Sequence, residues 1–131
     1  MADYAKLAIT ATYSENSDYS SPNSVRTFPA YEISTPTDFD EYKVTADTGG
    51  GTAVSLAKYA AAGITMLVVK NRDATNYVTA TYITAGGGVT TQTVRIPAGG
   101  FLVLCDVTST TALTLAANSA AVKCEVFIAG T

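Results

Sequence analysis

Acidic side chains are the main candidates for catalysis or metal binding in this chain, because its 131 residues include no histidine. Asp38, Asp40 and Glu41 crowd together, and oxygen-rich segments of this kind can bind calcium, although their spacing matches no established calcium-binding loop. Glu32 and the same three acids could also supply the paired carboxylates that hydrolyse a glycosidic bond. The sequence contains no tryptophan, the usual platform for stacking on a sugar, and this weighs against the second interpretation.

Other catalytic patterns are missing from the sequence. Without histidine there is no Ser-His-Asp or Cys-His catalytic set, and most transition-metal sites are also excluded. Gly49, Gly50 and Gly51 lead into Thr52, but the run lacks the Gly-Lys-Ser/Thr ending of a phosphate-binding loop, and no long helix is predicted after it. We therefore predict that these glycines form a turn, and that the chain is not an enzyme and has no catalytic, cofactor-binding or metal-binding residues.

The two cysteines, Cys105 and Cys124, both lie in apolar runs that predict strands, and they do not form a CxxC pair. We expect free, buried thiols at both positions. A disulfide would be geometrically possible if the two strands were neighbours, but a reducing compartment argues against it.

Composition indicates a folded β-protein. Hydrophobic residues make up 47% of the chain and charged residues only 15%, which is below the usual quarter and unlike a disordered protein. Threonine, which suits a pleated and half-buried surface, occurs 21 times. The length fits one core and therefore one domain.

Charge is unevenly distributed along a chain whose net charge is −3. Residues 1–50 carry eight acids and three bases, whereas residues 51–131 carry three acids and five bases. This asymmetry could help copies of the chain to pack together, or it could have no role. The sequence has no Lys/Arg cluster to neutralise phosphates, no apolar run near the ~18 residues that span a bilayer, and no signal-peptide pattern at its start. We expect neither a nucleic-acid nor a membrane partner.

Short apolar runs that end at Gly, Pro, Asn or Asp predict strands along most of the chain. Residues 6–13 alternate as a half-buried strand does, whereas residues 14–29 are almost wholly polar and predict a long loop or extended arm. Four apolar runs within residues 63–107 predict consecutive antiparallel strands. Residues 56–62 are the helix-friendly run and predict one helical turn capped by Gly63. Further strands are predicted at 31–34, 39–46, 52–57, 112–115 and 121–128.

These elements predict an all-β fold, an antiparallel and jelly-roll-like β-sandwich of about eight strands with an extended N-terminal arm. We expect residues 1–131 to form a single β domain, in which residues 1–35 supply a strand and the polar arm and residues 36–131 form the sandwich body. Inward-facing aliphatic side chains of the strands should fill the core. The predicted core includes Ile64, Leu67, Val69, Val78, Ile96, Leu102, Leu104, Leu115, Val126 and Ile128.

Aromatic residues are concentrated in the N-terminal part, since five of the eight tyrosines precede residue 50. Tyrosine combines an apolar ring with a polar tip, and a Tyr- and Ser-rich segment therefore suits contacts with another protein. The alternative is that these rings pack on their own sheet. Our candidates for interface residues are Tyr13, Tyr19, Phe28, Tyr31 and Tyr42.

The second half of the chain resembles small virion structural proteins of tailed bacteriophages, of the capsid decoration or cement type. In such proteins a strand ending in Asn, a Pro-Ala-Gly turn into an apolar strand, and a last strand ending in Gly-Thr recur in a β-sandwich. The segments that carry the resemblance are Gly63–Asn71, Tyr77–Tyr82, Arg95–Leu104, Leu113–Asn118 and Val126–Thr131.

The resemblance implies a non-enzymatic component of a phage particle, made in the host bacterial cytoplasm and located in the virion. It implies the major capsid protein or another virion protein as the partner. Short, weakly charged strands with few lysines leave sheet edges poorly protected, so we expect a homo-oligomer, and the resemblance favours a trimer. A neck, tail or head-fibre component of the same virion is an alternative, because it would carry the same sandwich and arm. A glycan-binding β-domain is an alternative of another class, and it would need an exposed aromatic platform beside carboxylates.

Overall fold

A computed structural model describes residues 4–15, 24–34, 38–59, 64–85, 89–107 and 113–130. The chain divides into two compact units, Met1–Pro36 and Thr37–Thr131. Apart from one short 3-10 turn, every regular element of the described residues is a β-strand. None of these residues belongs to a helix that is long and apolar enough to cross a membrane.

The first unit is a long β-hairpin. Its strands are β1 (Tyr4–Leu7), β2 (Thr10–Tyr13), β3 (Ser24–Thr27) and β4 (Tyr31–Ser34). Strand β1 pairs with β4 and β2 pairs with β3, both antiparallel, so the second ladder continues the first toward the hairpin tip. Between the two ladders the amide of Phe28 donates a hydrogen bond to the carbonyl oxygen of Ile9 at 3.1 Å.

Two predictions for this region need correction. The single strand predicted over residues 6–13 is interrupted at residues 8 and 9. The loop predicted over residues 14–29 is wrong for Ser24–Thr27, which is strand β3. The polar composition misled the prediction because a ladder is held by backbone hydrogen bonds, and these form whether or not a strand has an apolar face.

The second unit contains eight strands and a 3-10 turn. The turn, η1 (Ala57–Tyr59), lies within the predicted helical segment, of which residues 60–63 are outside the described residues. The strands are β5 (Asp38–Ala46), β6 (Thr52–Val54), β7 (Ile64–Asn71), β8 (Val78–Ala85), β9 (Val89–Ile96), β10 (Phe101–Val107), β11 (Leu113–Ala117) and β12 (Val122–Gly130).

These strands form two four-stranded antiparallel sheets, in the orders β10-β7-β12-β5 and β6-β11-β8-β9. Among the eight, β8 and β9 are the sequence neighbours that pair with each other, and most connections carry the chain from one sheet to the other. The first and last strands, β5 and β12, pair over nine positions. Two four-stranded sheets with this strand order are a jelly roll, and the predicted all-β, jelly-roll-like sandwich of about eight strands is confirmed.

The core lies between the two sheets and is built from alternate residues of their strands. All ten predicted core residues belong to it: nine are buried, and Leu104 is partly buried against the rest. The sequence did not indicate Leu56 and Tyr59, which flank or lie in the 3-10 turn and are each 1% exposed. On the outward side, threonines occupy the surface of the second sheet, as at Thr79, Thr81 and Thr114.

The two cysteines lie in the same sheet but are not neighbours. Strand β7 separates β10, which carries Cys105, from β12, which carries Cys124. Both thiols are free, as predicted. Cys124 is buried as expected, whereas the prediction that Cys105 is buried is wrong, because its side chain lies on the outer side of an edge strand.

Candidate functional site

The tip ladder of the N-terminal hairpin is exposed on both of its faces. Every residue of β2 and β3 is exposed, so neither strand contributes to a core. Apolar side chains are nevertheless frequent in this part of the chain, and Tyr13 and Val25 are 59% and 56% exposed. We define the hairpin surface as the exposed apolar residues Ile9, Tyr13, Val25, Phe28 and Tyr31.

Hydrogen-bonding register determines where these residues lie along the hairpin. Tyr13 pairs with Ser24 next to the loop, whereas Tyr31 pairs with Leu7 in the other ladder. Tyr13 lies six positions after Leu7, which corresponds to about 20 Å of extended strand. The apolar side chains are therefore spread along the hairpin and do not form a compact pocket, and Val25, which pairs with Thr12, points to the face opposite Tyr13.

Charged groups accompany these apolar side chains. The guanidinium of Arg26 lies 5.5 Å from the centre of the Phe28 ring, within the range of a cation–π contact. Lys6 and Glu32 face each other across the β1–β4 ladder, with Nζ and Oε1 3.2 Å apart. Both side chains of this ion pair are largely exposed, so the pair contributes little to stability.

Three of the five predicted interface residues, Tyr13, Phe28 and Tyr31, are exposed on the hairpin. Tyr19 lies outside the described residues. Tyr42 is on β5 in the second unit, at the position that pairs with Val126, and its side chain is also outside the described part of the structure. Sequence reasoning did not nominate Ile9 and Val25, because an aliphatic residue in an extended segment carries no signal that distinguishes an exposed position from a core position.

Asp40 and Glu41, the members of the acidic cluster whose side chains are described, are not assembled into one site. The Tyr59 hydroxyl donates to Asp40 Oδ2 at 2.8 Å, and the Lys58 ammonium donates to Oδ1 at 3.5 Å. Glu41 is the next residue on β5, so its side chain points to the opposite face of the sheet. The side chain of Asp38 is outside the described residues. Within the described part of the chain, no three His, Cys, Asp or Glu residues are grouped to hold a metal ion.

A hydrogen-bond network organises the loop between β7 and β8, and sequence reasoning missed it. Asn71 is fully buried, and its amide nitrogen donates to the carbonyl oxygens of Asn76, Pro97 and Ile96 at 2.9, 3.1 and 3.3 Å. Its Oδ1 accepts from the amide of Asp73 at 2.9 Å. This buried polar residue is thus satisfied and fixes the loop against β9. The signal that could have indicated it is the spacing Asn71, Asp73, Asn76, since Asn and Asp favour turns closed by their own side chains.

The two cysteines lie in different environments. Burial raises the pKa of the Cys124 thiol to about 11, so the group stays protonated at neutral pH. Cys105 is exposed on β10, and its register partner on β7 is Met66, which offers no base.

Comparisons of this chain with protein-family models, with curated proteins and with solved structures found no match.

Proposed function

We propose that this chain is a non-enzymatic virion structural protein, a capsid decoration or cement protein of a tailed bacteriophage, and that the N-terminal hairpin attaches it to the head. The observation that carries the proposal is the hairpin surface: apolar side chains held in a defined register on a hairpin whose β2 and β3 residues are all exposed. The jelly-roll body and the resemblance of residues 63–131 to phage virion proteins support the same role.

Energetic considerations favour a partner for the hairpin. An isolated two-stranded hairpin is marginally stable in water. Burying a side chain of the size of Tyr, Phe, Val or Ile contributes about 1.5–3 kcal/mol, so covering even part of the hairpin surface would offset the cost of ordering it. On a capsid, many symmetric copies of the partner surface are available, and attachment through a short segment is sufficient.

The partner that fits is the major capsid protein or another virion protein. Residues 1–36 carry four acids and two bases, so a mildly basic and apolar groove on the shell would complement the hairpin. The side chain of Arg26 is occupied with the Phe28 ring, and we assign the hairpin no nucleic-acid or membrane partner.

A glycan-binding role is the weaker candidate. It needs an aromatic ring beside a carboxylate, and Tyr31 with Glu32 is the pair nearest to that description in the hairpin. Adjacent strand residues point to opposite faces, and Glu32 is paired with Lys6, so the two groups do not form one platform.

Binding to empty heads of the phage that encodes the chain tests the proposal. Deleting residues 1–30 should abolish co-sedimentation with heads and leave the body folded. The double substitution Tyr13→Ser with Phe28→Ser should weaken binding, and Phe39→Ser is the control because Phe39 is also exposed, at 62%, but lies in the body on β5. Retention of binding by the deletion variant, or an equal loss in the control, would refute the role of the hairpin.

Copy number separates this proposal from its nearest alternative. A decoration protein is present in hundreds of copies per particle, whereas a neck, tail or head-fibre protein is present in about six to a few dozen, as the closed symmetry of those structures requires. Quantitative mass spectrometry of purified virions gives the ratio to the major capsid protein. A ratio near one copy per capsid subunit is expected, and a few dozen copies would move the chain to the neck, tail or fibre.

A further inference from the structure

Strand β10 is one edge of the β10-β7-β12-β5 sheet, and among the described residues of the body no strand pairs with its other side. The amide of Asn71 donates to the carbonyl oxygen of Gly100 at 3.0 Å, so residue 100 directs its C=O group toward β7. Residues alternate along an antiparallel ladder, and Leu102 and Leu104 therefore also direct their N–H and C=O groups toward β7. It follows that Phe101, Val103 and Cys105 direct theirs to the open edge.

The side chains of β10 do not protect this edge. Residues 101–105 include no charged residue and no proline, Phe101 is 63% exposed, and Cys105 is exposed. The register of β10 with β7 runs through this segment without a bulge. Natural sheets usually protect an edge with charges, proline, a bulge or a very short strand.

The other three edges of the sandwich are shorter, more charged or more polar than β10. Strand β6 has three residues, which is too short to act as a template. Strand β5 carries four charged residues, Asp38, Asp40, Glu41 and Lys43. Strand β9 carries Arg95 and a run of threonine and glutamine. Among these four edges, β10 is thus the one that presents an apolar, uncharged segment, residues 101–105, which Asp106 follows.

We propose that β10 pairs with β10 of a second copy of this chain, antiparallel and about a two-fold axis at Val103. In this register the outward-directed backbone groups of Phe101, Val103 and Cys105 meet those of Cys105, Val103 and Phe101 in the second copy. On the core side Leu102 lies opposite Leu104. Asp106, the charged residue of the strand, lies opposite Gly100, so no like charges oppose each other.

A neighbouring register is less favourable. Moving the axis to Leu104 also pairs outward-directed residues, but it places Leu102 opposite Asp106 and so sets a carboxylate position against an apolar one. The register centred on Val103 joins the β10-β7-β12-β5 sheets of the two copies into one eight-stranded sheet. It covers the β10 edge of each copy. This inference concerns the body and does not depend on the capsid role of the hairpin. It predicts a two-fold pair of bodies, in contrast to the trimer that the resemblance implies.

Disulfide trapping tests the register directly. Val103→Cys in a Cys105→Ser background places two thiols opposite each other, at the Cα separation of about 5.5 Å that suits both a hydrogen-bonded strand pair and a disulfide. Mild oxidation of the full chain should give a covalent dimer. Thr93→Cys in the same background is the matched control, because Thr93 is exposed on the other sheet's edge strand β9, and it should stay monomeric. Failure of Val103→Cys to cross-link, or equal cross-linking of the control, would overturn the proposal.

A second measurement does not depend on cysteine chemistry. Val103→Pro removes an N–H group that points to the open edge, so the ladder with β7 is retained while pairing with a second copy is blocked. Sedimentation velocity should show the wild type and Val103→Ala at twice the mass of the chain and Val103→Pro at the mass of one chain. Circular dichroism verifies that the variant is folded. A dimer that persists in folded Val103→Pro, or a wild type that is monomeric or trimeric at tens of micromolar, would contradict the inference.

Discussion

At the scale of single residues, Asp73 stabilises the β7–β8 loop through its carboxylate. Its Oδ1 accepts hydrogen bonds from the amides of Asn76 and Thr75 at 2.6 and 2.8 Å and from the Thr75 hydroxyl at 3.1 Å. These bonds, the one from the Asn76 amide foremost, favour the ionised form and hold the pKa of Asp73 below its ordinary value of 3.8. In the unfolded chain the same carboxyl binds a proton at higher pH, so its contribution to stability is present above about pH 4 and is lost as the pH falls through the folded-state pKa.

The thermal stability of the variant Asp73→Asn should therefore depend less on pH in the acid range than that of the wild type. Its thermal midpoint should lie below that of the wild type near neutral pH, and the difference should shrink between about pH 5 and about pH 3. Differential scanning calorimetry across this pH range measures the difference between the two thermal midpoints. Asp47→Asn, at an exposed aspartate in the β5–β6 turn, is the control. Parallel pH profiles for wild type and Asp73→Asn would contradict the assignment.

At the scale of elements, the turn between β5 and β6 shows why three consecutive glycines are present. Gly49 and Gly51 both have positive φ, of 78° and 77°, which side chains other than glycine rarely adopt. A Cβ added to Gly51 would lie 2.8 Å from the carbonyl oxygen of Leu115 and 2.9 Å from the Cβ of Ala116, whereas one added to Gly49 or Gly50 would have no heavy atom within 4 Å. Of the three glycines, Gly51 is thus the one that approaches strand β11 closely.

The three alanine variants of this turn should lower the free energy of unfolding by different amounts. Gly50→Ala is expected to change the free energy of unfolding little, and Gly49→Ala to lower it by about 1–2 kcal/mol because of its backbone conformation. Gly51→Ala should lower it further, since the backbone of β11 must also move. Urea denaturation of the three variants gives the comparison. If Gly49→Ala and Gly51→Ala were equally destabilised, the close approach to β11 would have no energetic weight.

At the scale of the whole molecule, the jelly roll is closed by its last strand. Strand β12 lies between β7 and β5 and pairs with β5 at nine positions and with β7 at seven. Its residues Val122, Cys124, Val126 and Ile128 are almost fully buried. The two ends of the body are thus paired side by side in one sheet, and the chain must be complete before the core can close.

Truncation at the two ends should therefore have opposite effects. A chain that stops after Ala121 should lose its cooperative thermal transition, because two strands lose a partner and the core loses four buried side chains. Removal of residues 1–30, a larger deletion, should leave that transition in place. Near- and far-ultraviolet circular dichroism with thermal scans decides between these outcomes. Cooperative unfolding of the C-terminally truncated chain would show that β12 is dispensable.

Local patterns in the sequence determined the all-β class, the approximate bounds of the body strands and the ten predicted core residues, because alternation and turn residues act over a few positions. They also pointed to the aromatic N-terminal segment, of which Tyr13, Phe28 and Tyr31 are exposed in the structure. Tertiary structure alone decided which strands are neighbours, since strand pairing depends on contacts between residues distant in sequence. It likewise placed Asp40 beside the buried Tyr59, set Cys105 on an open edge, and paired Ser24–Thr27 with β2 despite its polar side chains. In each case the arrangement depends on a backbone or side-chain group elsewhere in the fold, and no local sequence pattern specifies that group.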